Sequence, residues 1–530
     1  MPARLVASAK KSMTGLKAQA VRNVSATWLS LLVHALVSFF LSPFVLHRLG
    51  DAAFSVWILV FSLTGYFGLL DFGIRSSIVR YVARFIAVGD DDQLGRFLAT
   101  SVAFYLSVAL VVLVLTTIGS AYLPALFKIP PELLRTARLL FWLGGLSVAM
   151  TFPLSVFAGV MEGLQKFAHV QLTFMFATLL RGLAVVIALS QGGGLLALAA
   201  VTIGTNICGY LVLMWMAYQK LPLQMILRRP DPHVLHKMVG YGAFAFLIAV
   251  AEKLRFQSDA IVIGAFLSST AITYYSVASR LVEYSTSAVR SLAQIVTPMS
   301  SQFHATGDRG RLCRLLIVGN RACALVVFPL AVTLVVCGRS VIEVWVGARY
   351  VSSYSILVLL IVPKSLYLAQ STSTRILLGM GRHRILASVL LLEGVVNVVL
   401  SFLLAPRFGL IGVAWGTAIP LACTSLLFLP RHLCRQLEVP LTVFLRRTYL
   451  LPLALCLPLA GVLWLLSSRF PAHNYQTMLW QLACGGLVYG ASVAWSLTAT
   501  GRGRAAPWRI FEETMEPGLR ERYAESRIER

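Results

Sequence analysis

Charged residues are scarce in this chain of 530 residues. They make up 13% of it, about half the share in an average soluble domain, while 58% of the residues are hydrophobic. So little polar surface cannot coat a water-soluble particle, and a soluble globular fold is excluded. The apolar residues fall in blocks of about twenty, the length that crosses ~30 Å of hydrocarbon as an α-helix.

Several chemical motifs are missing as well. No GxxxxGK[ST] loop, HExxH helix or GxSxG elbow occurs, so we expect no direct use of ATP, no bound metal, no cofactor and no enzymatic activity. The eight cysteines form no CxxC pair and lie mostly inside apolar blocks, where they serve as small hydrophobic residues. No segment between the blocks is large enough to form an external catalytic domain.

The apolar blocks predict about fourteen transmembrane helices. They lack the period-2 alternation of a membrane β-barrel, and a helix satisfies its own backbone in lipid, so we expect an all-α integral membrane protein. Spans 1 to 14 cover residues 24–46, 54–73, 97–119, 139–160, 170–190, 195–217, 240–264, 272–300, 316–338, 353–376, 384–404, 410–430, 449–467 and 478–498. Interfacial anchoring is expected of five tryptophans that mostly lie near span ends, namely Trp28, Trp57, Trp142, Trp345 and Trp464.

Lysine and arginine are distributed unequally between alternate loops. The segments on the side of the N-terminus carry 30 of the 46, the opposite loops carry 8, and 8 lie inside spans. This asymmetry places both termini in the cytoplasm and requires an even number of spans. The net charge of +25 is therefore mainly a topology signal and an attraction to anionic membrane lipids, and no nucleic-acid partner is expected.

The sequence repeats itself at an offset of 218 residues. Residues 49–98 align with 267–316 without a gap and share eleven identities in fifty positions, most clearly Gly89-Asp90 with Gly307-Asp308. Each copy holds six spans, so both point the same way, and a pseudo-two-fold axis along the membrane normal is expected to relate two six-helix lobes around a central cleft. The predicted segments are a basic cytoplasmic N-terminus (1–23), the first lobe (24–217), a cytoplasmic linker (218–239), the second lobe (240–430), a loop with two extra C-terminal helices (431–500) and a charged cytoplasmic tail (501–530).

Three stretches carry a resemblance to a known family. They are Leu49-Gly50 with Trp57 and Gly68-Leu69-Leu70-Asp71-Phe72-Gly73-Ile74; Gln257-Ser258-Asp259-Ala260-Ile261-Val262-Ile263-Gly264 with Tyr274-Tyr275-Ser276-Val277-Ala278; and Leu377-Leu378-Gly379-Met380-Gly381-Arg382. In these the chain resembles the multidrug/oligosaccharidyl-lipid/polysaccharide exporter superfamily, and within it the lipid-linked oligosaccharide flippases of O-antigen and exopolysaccharide pathways.

The resemblance implies a V-shaped fold of two lobes that works by alternating access. It implies that a polyprenyl-pyrophosphate-linked oligosaccharide is flipped from the cytoplasmic to the external leaflet of the bacterial inner membrane. The expected partners are this lipid-linked substrate and the surrounding membrane lipids. A polysaccharide polymerase or the export machinery is a further candidate partner.

Ionisable side chains at membrane depth are costly, so they are expected to face the protein interior or a hydrated cavity. Glu252, Arg255 and Asp259 in span 7 fall within about 60° of one another around a helix, and Arg255 and Asp259 have the i, i+4 spacing of an ion pair. Arginine suits a pyrophosphate because its planar guanidinium donates two hydrogen bonds to one phosphate. The candidate substrate-binding residues are Arg181, Glu252, Arg255, Asp259, Arg280, Glu283, Arg290 and Lys364, and the entrance or gating candidates are Asp71, Arg75 and Arg80.

Other interpretations of these residues stay open. The charges could form structural ion pairs between helices, Arg75 and Arg80 could be topology anchors, and Glu393 with Asn397 in span 11 fits either role. A cation-coupled multidrug exporter would need an acidic cavity, whereas the spans hold eight lysines and arginines against about four acids. A membrane polysaccharide polymerase or ligase would need a sizeable external loop.

Overall fold

Helices form every regular element in the computed structural model, which describes residues 2–221, 228–293 and 296–499. The all-α prediction is therefore confirmed. The helices are α1 (Pro2–Tyr66), α2 (Ile74–Val88), α3 (Asp91–Leu126), α4 (Pro131–Gly163), α5 (Phe167–Ser190), α6 (Leu195–Tyr218), α7 (Pro232–Phe256), α8 (Asp259–Phe266), α9 (Ser269–Ala293), α10 (Val296–Ala305), α11 (Arg309–Val346), α12 (Ser353–Ala369), α13 (Ser371–Gly379), α14 (His383–Cys423), α15 (Leu429–Leu437), α16 (Leu441–Arg469) and α17 (Tyr475–Ala499). Two 3-10 turns and one π-helical turn also occur, at Phe67–Asp71, Ala348–Tyr350 and Thr424–Phe428. The predicted tail 501–530 lies outside the described residues.

The number of membrane-length helices depends on how breaks are treated. Within the described ranges, eight helices are long and apolar enough to cross a membrane, or nine if the bent pair α12–α13 is one span. Two of the eight each hold two predicted spans, which meet at Gly50 in α1 and Gly409 in α14. Both glycines have positive φ, 76° and 59°, so the chain turns there. Spans 7, 8 and 14 fall outside this set, and the count of fourteen stays a prediction.

Two predicted spans are interrupted, where continuous helices were expected. Span 7 divides into α7 and α8 at Gln257-Ser258, and the Ser258 hydroxyl donates to the Leu254 carbonyl at 2.7 Å. A side chain that bonds its own helix in this way competes with the backbone ladder. Span 10 bends by 41° at Gln370, whose side-chain amide donates to the Ser425 carbonyl in the π-helical turn. Hydropathy averaged over a whole span did not reveal the few polar side chains at each break. Both spans were therefore predicted as continuous.

The chain forms two compact units, Met1–Thr273 and Tyr274–Arg530. In the first, α3, α5 and α6 pack around α4, while α7 and α8 pack against α1, α2 and α3. In the second, α11 packs against α12, α13 and α16, and α17 packs against α16. Span 7 thus packs within the first unit. The predicted lobe bounds and the axis between the lobes stay predictions.

The helix starts preserve the 218-residue repeat. Helix α3 begins at Asp91 and α11 at Arg309, and the residue before each is a capping aspartate. The Asp90 carboxylate accepts from the Gln93 amide at 2.9 Å, and the Asp308 carboxylate accepts from the Arg311 amide at 2.9 Å. The identical aspartates therefore have the same structural role in both copies, which supports a structural repeat.

The tryptophans divide into two groups. Trp28, Trp142 and Trp464 are exposed, as expected of side chains that anchor helices at a membrane interface. Trp345 is only 2% exposed; it packs edge-on to Tyr284, and its carbonyl accepts from the Tyr475 hydroxyl at 3.4 Å. The prediction of interfacial anchoring is therefore wrong for Trp345, because contacts from distant segments bury it.

Helices α3 and α4 approach closely because α4 carries a glycine at the contact. A Cβ atom at Gly145 would lie 2.0 Å from the Thr116 hydroxyl oxygen. That hydroxyl is buried and donates to the Val112 carbonyl at 2.7 Å, so it has no open space to turn into without losing its partner. The close contact of α3 and α4 therefore requires glycine at this position.

We expect the Gly145→Ala variant to be destabilised by about 1–3 kcal/mol, since it overpacks a tight helix contact. The matched control is Gly204→Ala in α6, where nothing lies within 4 Å of the added Cβ. Alanine is the better helix former, so this control should unfold at or slightly above the wild-type temperature. Thermal unfolding of the purified protein in detergent measures both, and an equal response would contradict the packing argument.

Candidate functional site

Span 2 ends in a helix break that positions two charged side chains. After Tyr66 the chain winds into the 3-10 turn, and then Phe72 and Gly73 both adopt positive φ, 49° and 73°, before α2 begins. Positive φ is uncommon for a residue other than glycine. The Phe72 ring packs against the Phe246 ring of α7, with the centroids 5.0 Å apart. Asp71 and Arg75 lie on either side of this break.

A buried tyrosine holds Asp71. The Tyr105 hydroxyl of α3 donates to the Asp71 carboxylate, and Tyr105 is completely buried. Its ring stacks on Phe152 of α4 with the centroids 5.5 Å apart, and the Ser155 hydroxyl lies beside its oxygen. The carboxylate at the end of span 2 is thus tied to two other helices. The prediction of a gating role for Asp71 is untested by this contact.

Arg75 forms an ion pair with an acid at the end of α4. Its guanidinium lies 2.8 Å from the Glu162 carboxylate, with side-chain exposures of 38% and 18%. The Tyr210 hydroxyl of α6 lies beside the same guanidinium. The pair therefore joins α2, α4 and α6, while Arg80, further along α2, is exposed.

The break in span 7 gathers polar groups against the end of span 2. The Lys253 ammonium donates to the Gln257 side-chain oxygen at 2.6 Å, and the Tyr66 hydroxyl donates to the Lys253 carbonyl at 3.2 Å. Both side chains approach α1 at Gly65, where a Cβ would lie 3.2 Å from the Gln257 oxygen. Glycine at position 65 thus permits this close approach.

Two predicted site residues are buried at this break. Arg255 is 1% exposed, and its guanidinium carbon lies 4.7 Å from the centroid of the Phe256 ring. Asp259 is 8% exposed, begins α8 and lies near Tyr66. The helix is interrupted between them, so they do not lie on one continuous helix as expected, and their pairing stays a prediction. Glu252, in contrast, is exposed.

The remaining candidates lie elsewhere. Arg181 is half-buried on α5, which packs against α1 and α6. In the second unit, Lys364 of α12 is buried with its ammonium 5.6 Å from the Tyr367 ring centroid, and Arg280 of α9 lies near Tyr284 and the exposed Glu283. The side chain of Arg290 lies outside the described residues.

Span 11 carries a buried polar group of its own. Glu393 and Asn397 are 4% and 2% exposed on α14. The Asn397 amide donates to the Thr417 hydroxyl at 3.2 Å and its oxygen accepts from Ser401 at 3.3 Å, which connects the two halves of this bent helix. These contacts favour the structural interpretation of Asn397.

Sequence analysis did not identify the partners of the charged residues. None of these partners in the first unit was a candidate. They are Tyr66, Tyr105, Glu162, Tyr210 and Gln257. Glu162, an acid at the end of an apolar span, was the one available signal. The tyrosines resemble any aromatic residue of a membrane helix until tertiary packing brings them to a charge.

The sequence model of a family described as "Polysaccharide biosynthesis protein" matches residues 69–355, more than half of the chain. The chain belongs to this polysaccharide biosynthesis protein family. The matched range includes both the helix break at Asp71–Arg75 and the break in span 7.

Two curated relatives extend the match. The chain is 22% identical over 443 residues to the uncharacterized membrane protein EpsK of Bacillus subtilis, covering 80% of this chain and 85% of that protein. It is 19% identical over 201 residues to the probable low-salt glycan biosynthesis flippase Agl15 of Haloferax volcanii, covering 38% and 43%.

Solved structures share the fold. The lipid II flippase MurJ in an inward closed conformation matches with a TM-score of 0.69 and 17% identity, over 91% of this chain and all of that one. An inward-facing MATE family multidrug transporter of the MOP superfamily matches with a TM-score of 0.65 and 13% identity, over 79% and 99%. The predicted superfamily resemblance is confirmed, and the roles of the individual site residues stay predictions.

We expect Arg75 and Glu162 to stabilise the first unit as a coupled pair. Arg75→Ala and Glu162→Ala should each lower the stability, and the double variant should lose less than the sum of the two, with a coupling energy of about 1 kcal/mol because the pair is partly exposed. Thermal unfolding in detergent measures the cycle. The control is the exposed pair Arg309–Glu438, also at 2.8 Å, where the same cycle should show no measurable coupling. Strict additivity at Arg75 and Glu162 would contradict the pairing.

Proposed function

We propose that the protein is a flippase that moves a polyprenyl-pyrophosphate-linked oligosaccharide from the cytoplasmic to the external leaflet by alternating access. Three findings support this: membership of the polysaccharide biosynthesis family, a relative named as a glycan biosynthesis flippase, and a fold shared with the lipid II flippase MurJ. In this proposal the protein lies in the bacterial inner membrane with both termini in the cytoplasm. It acts as a carrier without a cofactor and not as an enzyme.

The observation that carries the proposal is the polar break in span 7. Lys253 and Arg255 lie just before the interruption of span 7 at Gln257-Ser258, and Arg255 is 1% exposed. A buried cation at membrane depth costs several kcal/mol, so its presence favours a functional role. A guanidinium is suited to a pyrophosphate, since it can donate two hydrogen bonds to one phosphate. In the proposed cycle, Arg255 is covered in one conformation and meets the phosphates in another.

The helix break after span 2 is proposed to control access. Asp71 and Arg75 contact α3, α4 and α6 through Tyr105, Glu162 and Tyr210. A movement of α2 away from α4 and α6 would break the contacts of Arg75. Contacts that are made in one arrangement and broken in another suit a gate.

A drug exporter is the second candidate, because MATE family transporters share the fold. Such a protein would bind cationic drugs, for which the excess of cations over acids inside the spans is unfavourable. A membrane polymerase or ligase is the weaker third alternative, since it requires an external catalytic segment. The flipping experiment below therefore also measures whether a cationic drug is transported.

We expect the purified protein to flip a fluorescent polyprenyl-pyrophosphate disaccharide in liposomes, so that dithionite quenches nearly all of the probe instead of about half. Arg255→Ala should lower the initial rate about tenfold or more, because a charge-assisted hydrogen bond to phosphate is worth roughly 1.5–3 kcal/mol. Arg255→Lys, which keeps the charge without the planar fork, should retain an intermediate rate.

The matched control is Arg446→Ala, which removes an exposed arginine from α16 and should leave the rate unchanged. All variants must elute as folded protein at the wild-type position in size-exclusion chromatography. If the wild type flips no lipid but carries ethidium into the same liposomes, the flippase proposal is wrong and the protein is a drug exporter.

A further inference from the structure

Four basic side chains of the first unit lie close together where α5 begins and α6 ends, with Arg22 within α1 among them. They are Arg22 in α1, Lys166 and His169 at the start of α5, and Lys220 just after α6. Arg22, Lys166 and Lys220 all lie close enough to His169 to interact with it electrostatically. Within the described part of the chain, none of the four forms an ion pair with a carboxylate.

The backbone fixes this arrangement. Gln165 takes a left-handed conformation, with φ of 61°, in the turn that leads from α4 into α5. The Asn23 side chain joins α1 to this turn: its oxygen accepts from the Ala168 amide at 3.1 Å and its nitrogen donates to the Gln165 carbonyl at 3.5 Å. Asn23 therefore holds Arg22 beside Lys166, although the two cations repel each other.

Exposed tryptophans locate the cluster relative to a membrane. Trp28 is 42% exposed and lies six residues after Arg22, and Trp215 is 60% exposed and lies five residues before Lys220. At 1.5 Å per residue, the cluster lies about 7–9 Å along the helices from these two rings. Exposed tryptophans on membrane proteins concentrate at the headgroup level. The cluster therefore lies where lipid phosphates are found.

The local groups favour an anion. The first amides of α5 point out of its N-terminal end and carry partial positive charge. Three long cations and the helix end together offer donors for a phosphate, and none of the three cations forms an ion pair with a described carboxylate.

We propose that this basic cluster binds the phosphate of an anionic phospholipid that is not transported. A phosphodiester headgroup would neutralise the repulsion among Arg22, Lys166 and Lys220 while its acyl chains lie along the exposed apolar side chains near Trp28 and Trp215. The bound lipid would add a contact among α1, the start of α5 and the end of α6, where α1 and α6 both pack against α5. None of the four basic residues is one of the site candidates at Asp71, Arg75 and Arg255.

The test is native mass spectrometry of the full chain in detergent, titrated with dioleoyl phosphatidylglycerol and, in parallel, with zwitterionic dioleoyl phosphatidylethanolamine. Each cation near an anionic lipid contributes about fivefold in affinity. Phosphatidylglycerol binding should thus fall by about tenfold or more in Lys166→Gln/Lys220→Gln and by about fivefold in each single variant. The matched control, Arg446→Gln/Arg447→Gln, removes two exposed cations from α16 and should change binding less than about twofold. Phosphatidylethanolamine adducts should be unaffected throughout.

Three results would overturn the proposal. Binding that survives in Lys166→Gln/Lys220→Gln, or falls equally in the control, would reduce the cluster to a topology signal. Displacement of phosphatidylglycerol by inorganic phosphate at equal concentration would identify a free-phosphate site. Preferential binding of polyprenyl phosphate, lost in the same variant, would assign the cluster to the transported lipid. If the double variant fails to fold, the single variants decide. The readout needs no flipping, so it is independent of the proposed flippase activity.

Discussion

The lack of hydrogen-bonding solvent in a bilayer governs where this protein can interrupt a helix. Every backbone amide and carbonyl at membrane depth needs an internal partner, so a group that loses its helical partner at a break needs another donor or acceptor. At the bend in span 10, Gln370 donates to the Ser425 carbonyl of the π-helical turn. In α11, Pro329 cannot donate to the Leu325 carbonyl, and the Tyr489 hydroxyl of α17 donates to it at 2.7 Å. Helix α17 therefore supplies the hydrogen bond that the backbone of α11 lacks at Pro329.

The repeat separates what the fold requires from what is particular to one copy. Both copies keep the aspartate cap that starts their third helix, because any helix at that position needs its first amides satisfied. The charges at the helix break after span 2 are not kept. At the offset of 218 residues, Asp71 and Arg75 correspond to Val289 and Ala293. The second copy thus has apolar residues at these positions. The six-helix architecture therefore does not require the charged side chains of Asp71 and Arg75.

Sequence analysis predicted those features that depend on local pattern. Hydropathy located the helical segments, the offset of 218 residues matched the starts of α3 and α11, and short motifs identified the family. It failed where the deciding group comes from a distant segment. The burial of Trp345 depends on Tyr284 and Tyr475, and the pairing of Arg75 depends on Glu162, 87 residues away. A partner so far away in the sequence produces no periodic pattern from which it could be predicted.

The strongest physical argument for a functional role concerns residues 253–259. A helix break and a buried charge both destabilise a membrane span, and even a paired buried charge is often costlier than a well-packed apolar side chain. The equivalent residues of the first copy, 35–41, are apolar apart from Ser38 and lie in an uninterrupted part of α1, with Val37 in the place of Arg255. Val37 packs against α5, where a Cβ at Gly182 would lie 3.0 Å from it. An apolar, continuous helix is therefore compatible with this position in the fold. The chain retains two costly features at the same place in span 7, and this is where the proposed function places the phosphates of the substrate.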